Sequence, residues 1–439
     1  MPAHLPRPAA DVGPMLGPIF VPLFIVVVVS GLAVTPSSVH GQIADAFAAA
    51  AGGDLPHSAP GASTTGFPSN PAGLTGEDGW AFLITPARVG LSLGPITGRD
   101  IARAGGGILS RATRETWLAR VGAGDQLGAV DAGVGPIAIR RGAMAFHVST
   151  TVVGRVRLPA DAVELLLFGN AGREGVPGDF RLTDSALDGA VFSTAGLAWG
   201  VRPAPDDVPE LTVGGRLHAT LGHGLVVTRD AGSVIDGGRA NADLRLPTIS
   251  SGGGRAIPGF GLGLDLGLRW GRGSGTTGVA LINAVRTFEW SDSALRYRAG
   301  ETLLEGAGVE TDFSPRPLSA APPSLRALAR RVRPARRLEL EHVRVVRDGL
   351  AVRVTLRETL ERGVAPGPPD ARLIGVEWAP TPRFDAAGHV GTADGRTRLG
   401  AGLRGGFGGW SLAFAWLIER AGERDGSSIS ISLRRHMAP

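Results

Sequence analysis

At 439 residues the chain is long enough for two or three soluble domains or for one large barrel. It contains 67 Gly, 32 Pro, 4 Met and no Cys, which excludes disulfide staples and thiolate-bound metals. The formal net charge of +5, with arginine as the basic residue throughout, favours contact with anionic surfaces in general.

Residues 1–41 read as a targeting signal. Arg7 precedes an apolar run, Ile19–Val29, and Thr35-Pro36-Ser37-Ser38 leads to a cleavage-like Val39-His40-Gly41. The rival is an uncleaved anchor over Leu16–Val34, against which Pro18 and Pro22 weigh. No other stretch has the length and hydropathy of a transmembrane helix, so an exported chain of this kind enters a membrane as a barrel or not at all. Residues 42–79 are expected to be a flexible lead-in and plug. Within them Ser69-Asn70-Pro71-Ala72-Gly73-Leu74 carries a turn signal, since Pro71 biases Asn70 away from helix.

The first strand is expected near Trp80–Leu93. Gly107–Val121 follows as a helix stopped by Gly122 and Gly124, fitted to plug a lumen or to cap it from outside. A hairpin then runs from Gly133–Arg140 through Arg141-Gly142 into Ala143–Leu158. In its second strand Met144, Phe146, Val148 and Val152 share one face, and His147, Arg155 and Arg157 share the other. Pro159 opens a short helix, Ala160–Phe168, ended by Gly169-Asn170.

The clearest strand is Phe260–Trp270. Its even positions are Phe260, Leu262, Leu264, Leu266, Leu268 and Trp270, and its odd positions are glycine or charged. Such alternation over about 9–11 residues, with an aromatic at each end, suits a strand tilted across a bilayer. Period-two segments recur at Leu211–Leu221, Leu350–Arg357, Leu412–Glu419 and Ile429–Arg434. Weaker ones lie near Ala190–Trp199, Gly224–Arg229, Ala242–Thr248, Gly278–Trp290, Leu338–Val346, Ala371–Ala379 and Arg396–Arg404. These patterns predict roughly 13 to 16 strands and an all-β antiparallel transmembrane barrel over residues 80–439, with few short helices.

Ser314–Arg337 breaks the pattern with five prolines and seven arginines, and reads as a long loop on one rim. Leu325, Leu328 and Val332 mark one face of a short basic helix there, which offers contact with anionic headgroups. No nucleic-acid partner is expected, because no aromatics interleave with these arginines.

Catalytic signatures are absent: there is no phosphate-binding loop, no His-Glu-x-x-His and no Gly-x-Ser-x-Gly. No catalytic residue, metal or cofactor is expected. His218 and His223 leave open an outer-membrane hydrolase, which requires a Ser or Asp within reach of either ring. If the alternation holds, His147, Arg155, Arg157, Arg216, His218, Asp265, Arg269 and Arg353 point into a lumen. There they would attract an acidic amphiphile or pair with one another as structural ladders.

Three segments resemble a known group. Ser69-Asn-Pro-Ala-Gly-Leu74 is similar to the Asn-Pro-Ala segment of the FadL-type fatty-acid transporter superfamily, which includes PorV-like and TraF-like outer-membrane proteins. Arg155-Val-Arg-Leu-Pro-Ala-Asp-Ala-Val-Glu-Leu-Leu-Leu-Phe-Gly-Asn170 and Gly261-Leu-Gly-Leu-Asp-Leu-Gly267 resemble segments of an uncharacterised branch of these barrels. The resemblance covers roughly Ser69 to Trp290. It implies about fourteen strands, a plug containing Asn70, Pro71 and Ala72, and hydrophobic ligands that pass through the barrel wall. The expected partners are outer-membrane lipid, a fatty-acid-like or other hydrophobic ligand, and the barrel-assembly machinery. The alternative, from the PorV-like relatives, is a structural or secretion-associated barrel that binds other proteins.

Overall fold

Long alternating strands leave a row of backbone groups on each edge, and in this chain those rows are matched in a ring. In the computed structural model, residues 70–74, 80–92, 109–121, 126–203, 211–238, 241–252, 257–305, 308–361, 370–381, 384–393, 396–407, 410–421 and 424–437 are described. The expected signal at 1–41 and the lead-in at 42–69 lie outside them.

The wall consists of β1 (Trp80–Ser92), β2 (Gln126–Arg141), β3 (Met144–Leu158), β4 (Ala186–Val201), β5 (Thr212–Arg229), β6 (Gly259–Arg272) and β7 (Gly275–Arg286). It continues through β8 (Arg337–Arg347), β9 (Leu350–Thr359), β10 (Ala371–Thr381), β11 (Phe384–Ala393), β12 (Arg396–Phe407), β13 (Trp410–Ala421) and β14 (Arg424–Met437). Each strand pairs antiparallel with the next. β14 pairs back onto β1, with Trp80 opposite Met437. The ladder closes on itself, and a closed sheet has no open edge.

The connections at the two ends differ. Turns of a few residues join β2 to β3, β6 to β7 and β8 to β9, with Gly142 and Gly273 at φ +54° and +59°, which a side chain would strain. The other end carries the long connections. Between β1 and β2 lies α1 (Arg111–Val121), whose start is capped by Ser110 Oγ accepting the Thr113 N–H at 3.2 Å. Between β3 and β4 lies α2 (Ala160–Phe168), opened by Pro159 and ended by Gly169 at φ +73°.

A separate five-stranded sheet stands at the long-loop end, built from Asp179–Arg181, Val234–Asp236, Asn241–Arg245, Glu301–Glu305 and Gly308–Asp312. The strand expected at Ala242–Thr248 therefore belongs to this sheet and not to the wall. Gly224–Arg229, expected as a strand of its own, is the far end of β5, which continues through a bulge at His223.

The Arg/Pro-rich stretch connects β7 to β8 at the long-loop end. It holds α3 (Pro323–Arg331), whose Leu325 and Ala329 join Val332 in the largest apolar core, beside Phe192, Phe288 and Trp290. The arginines take the other face of the helix, and burial of the small apolar stripe decides its position.

Along the wall, large apolar side chains point outward. Phe146, Leu197, Leu217, Leu262, Leu266 and Ile374 are exposed, while the alternate positions Asp265, Glu377 and Arg398 are buried. Exposed aromatics gather toward the short-turn end: Trp80 opens β1, Trp199 and Trp270 close β4 and β6, Trp378 closes β10, and Phe384 and Phe407 flank the turns of β11 and β12. From Phe260 to Trp270, ten strand steps of about 3.3 Å span roughly 33 Å, or about 25 Å in projection at a tilt near 40°.

Candidate functional site

A short turn inside the wall defines the site. Asn70 caps a single 3-10 turn, Pro71–Gly73: its Oδ1 accepts the Ala72 N–H at 2.9 Å. Its Nδ2 donates to the Leu268 carbonyl at 3.0 Å and the Val279 carbonyl at 3.2 Å, on β6 and β7. Pro71, Ala72 and Leu74 are buried, and Leu74 clusters with Ala145 and Ala198 of β3 and β4. Asn70, Pro71 and Ala72 thus sit against the inner wall. Their role as a plug is taken up below.

The wall makes room for the turn with glycine. Gly200, Gly214 and Gly267 stand side by side in register on β4, β5 and β6, with Gly278 on β7 beside them. A Cβ at Gly214 would fall 2.2 Å from Ala72 N, one at Gly267 would fall 2.1 Å from Asn70 Oδ1, and one at Gly200 would fall 2.8 Å from the Leu74 carbonyl oxygen. Backbone rests on backbone here, which any side chain would prevent.

One level toward the long loops, the same device holds histidines. His147, Gly196, His218 and Gly263 alternate in register across β3 to β6, and each ring lies over a glycine. A Cβ at Gly263 would meet His218 Cε1 at 2.2 Å, and one at Gly196 would meet His147 Cε1 at 2.5 Å. On the opposite wall His389 lies between Gly375 and Gly400 in the same way.

Asp265 centres this polar layer. Its carboxylate lies 3.2 Å from His218 Nε2 and 3.4 Å from Arg216 Nε, and it accepts the Asn283 N–H at 2.7 Å. Asn283 has φ +53° in a bulge of β7, where the register with β6 shifts between Leu264 and Leu266. Its side-chain amide donates to the Ala335 carbonyl at 2.9 Å, tying the bulge to the chain entering β8.

Farther round, Arg353 is held by two carboxylates: Glu377 Oε1 at 2.5 Å and Glu341 Oε2 at 2.5 Å. Arg337 and Arg357 flank Glu339, each at 3.6 Å. Inward Arg337, Arg353 and Arg357 are therefore matched by inward acids, the ladder that the sequence offers beside an acid-attracting lumen. Arg269 shares the inward parity of Asp265, one step beyond the glycine seat and facing Gly278 across the ladder. Arg155 and Arg157 have the inward parity too, yet they are exposed, because β3 has there reached the long-loop rim.

His223 does not join His218. It lies exposed where the ladder skips from Val191↔Gly224 to Phe192↔Gly222. His218 does have Asp265 within reach, but among the described residues no serine hydroxyl bonds to either ring. Glu341 stands out in the sequence only beside His342, as neighbours on opposite faces of a strand, and nothing there marks Glu339, Glu377 or Asn283. Glu339 and Glu341 were discoverable, since they share one parity along an alternating segment. Asn283 was not, because a bulge resets the parity that would have placed it.

Above the polar layer lies an aromatic one. Phe192, Phe288 and Trp290 have ring centroids 5.2–5.7 Å apart, and Trp290 Nε1 donates to the Val332 carbonyl at 2.5 Å. A cleft of about 660 Å³ lies between α1 and α2, lined by Arg111, Glu115, Leu118, Ala160 and Glu164 among others.

Among solved structures the chain is similar to the Ralstonia pickettii toluene transporter TbuX, at 12% identity and a TM-score of 0.45 over 87% of this chain and 94% of that one. It is similar also to the Pseudomonas putida toluene transporter TodX, at 10% identity and a TM-score of 0.43 over 87% and 94%. A Pseudomonas aeruginosa FadL homologue matches at 10% identity and a TM-score of 0.42 over 88% and 96%. No family model matches the chain, and no curated protein does.

Proposed function

We propose that this chain is an outer-membrane barrel without enzymatic activity that binds or passes a hydrophobic or amphiphilic ligand. The membrane setting is supported by the closed ladder, the apolar outer face and the aromatics gathered at the short-turn end, which would lie at a lipid–water interface. In bacterial barrels short turns face the periplasm, which would put α1, α2 and the small sheet outside the cell.

The observation that carries passage is the glycine seat. A purely structural barrel fills its lumen with wall side chains, whereas this wall gives up side chains on four adjacent strands to admit a short separate turn. Glycine weakens strands, so such a seat makes sense for an occupant that leaves. The order of layers suggests the ligand: from the long-loop end Phe192, Phe288 and Trp290 come first, and His218 and Arg216 lie beyond them. An apolar layer followed by a polar one suits an amphiphile. The rival reading, a scaffold for other proteins, draws support from the filled aromatic layer.

The absence of cysteine permits a clean test. A Cβ at Gly278 would lie 3.0 Å from Asn70 Nδ2, so Asn70→Cys with Gly278→Cys is the pair with which to cross-link turn and wall. In proteoliposomes, uptake of a fluorescent fatty acid should fall at least tenfold on oxidation and recover with reductant. Equal uptake in both states would remove the plug and the passage reading together.

A further inference from the structure

The five-stranded sheet at the long-loop end has two unlike edges. At one, Asp179–Arg181 is closed off by α2, because the Arg181 N–H donates to the Asp161 carboxylate at 3.1 Å. At the other, Gly308–Asp312 pairs with Glu301–Glu305 on its inner side, and among the described residues no strand or helix pairs with its outer side. It is exposed along nearly its whole length, Val309 to 60%. An antiparallel strand directs alternate N–H and C=O groups away from its partner, so this edge presents ready donors and acceptors. Proline and bulges, which protect such edges, are missing from Gly308–Asp312.

The side chains along this edge are sorted by face. The register puts Glu301, Leu303 and Glu305 on one face with Glu310 and Asp312, next to Asp243 and Arg245 of the neighbouring strand. Arg245 is held by Asp243 at 2.6 Å, which raises its pKa, and Asp312 is held by Arg316. Glu305 and Glu310 have no ion-pair partner among the described residues. The opposite face carries Thr302, Leu304, Val309 and Thr311.

We propose that Gly308–Asp312 is a docking edge that receives, by strand addition, an extended segment of a partner protein in which basic and apolar residues alternate. The alternation follows from the pleat: residues of an added strand that fall beside Glu310 meet a free carboxylate, and those beside Val309 meet an apolar surface. A second copy of this chain is disfavoured, because pairing this edge with itself would set Glu310 and its neighbours against like charges. This inference is independent of ligand passage.

The test uses the full chain in zwitterionic detergent and a fluorescent six-residue peptide of alternating Arg and Val, followed by anisotropy. A second peptide has alternate backbone amides methylated, and a third carries Glu in place of Arg. We expect the Arg/Val peptide to bind and methylation to weaken it at least tenfold. Glu305→Arg with Glu310→Arg should weaken it equally and transfer binding to the Glu/Val peptide. These positions are exposed, so the double variant should fold as the parent does and run with it on gels with and without boiling. Equal binding of methylated and unmethylated peptides would reduce the edge to a charged surface and overturn the proposal, as would absence of binding or indifference to the double variant.

Discussion

Asp265 accepts the backbone N–H of Asn283 at 2.7 Å, at the point where the β6–β7 ladder loses its register. A bulge leaves one strand's amide without a ladder partner, and in a wall interior an unpaired amide is costly. One carboxylate supplies that partner and also meets Arg216 and His218. The same charge repairs the wall and organises the polar layer.

Asp265→Ala removes all three relationships together. Breaking a buried pair while leaving Arg216 behind is expected to cost roughly 3–5 kcal/mol. The measurement is the temperature at which the folded band on an unboiled gel gives way to the unfolded one. Asp265→Asn keeps an acceptor for Asn283 and should lose less. Identical transition temperatures for parent and both variants would show that the bulge needs no such partner.

Asn70 should govern how firmly the turn is seated. Asn70→Ala removes its cap, worth on the order of 1 kcal/mol, together with both bonds to the wall. Asn70→Asp keeps the cap but sets a carboxylate against two carbonyl oxygens. Both should raise ion conductance in planar bilayers, with Asp the stronger, and unchanged traces would mean that the turn is fixed by contacts other than these.

The glycine seat predicts a steric contrast. Gly214→Val has no room, since even its Cβ would fall 2.2 Å from Ala72 N, so the turn should be expelled and conductance should rise while the gel shift remains. Gly405→Ala meets nothing within 4 Å and should be silent. Silence at both positions would show that the seat tolerates a side chain.

The outward tryptophans should matter in lipid more than in detergent. Trp199→Ala with Trp270→Ala removes interfacial surface worth on the order of 1 kcal/mol each. The expected result is easier urea unfolding from vesicles with little change in micelles. An equal loss in both media would assign these rings to protein packing.

Most of the wall was legible where side chains are large. Phe260–Trp270 announces its two faces because leucine alternates with glycine, and β6 spans it. β11 is hard to read because Phe384 and Val390 are the only large apolar residues in Phe384–Ala393, and Ala and Gly occur on both faces. β5 read as two strands because the bulge at His223 inverts the parity midway. At the site, Asn70, Pro71 and Ala72 were marked by local turn chemistry, and inward Arg216, His218 and Asp265 by alternation. The seat itself was not legible, since Gly200, Gly214, Gly267 and Gly278 come together only when four strands are set in register. α3 was visible as a basic helix, but its docking depends on aromatics far away in sequence.

The pairing of Trp80 with Met437 also bears on how the molecule is made. The first wall strand acquires its second neighbour only when the last has emerged, so a growing chain carries two unsatisfied margins for the whole of its synthesis. Contacts between distant parts of a chain form slowly, and exposed margins invite association with other chains. Completion is therefore the step most open to failure, and a holding factor that shields both margins until they meet would be of most use at that step.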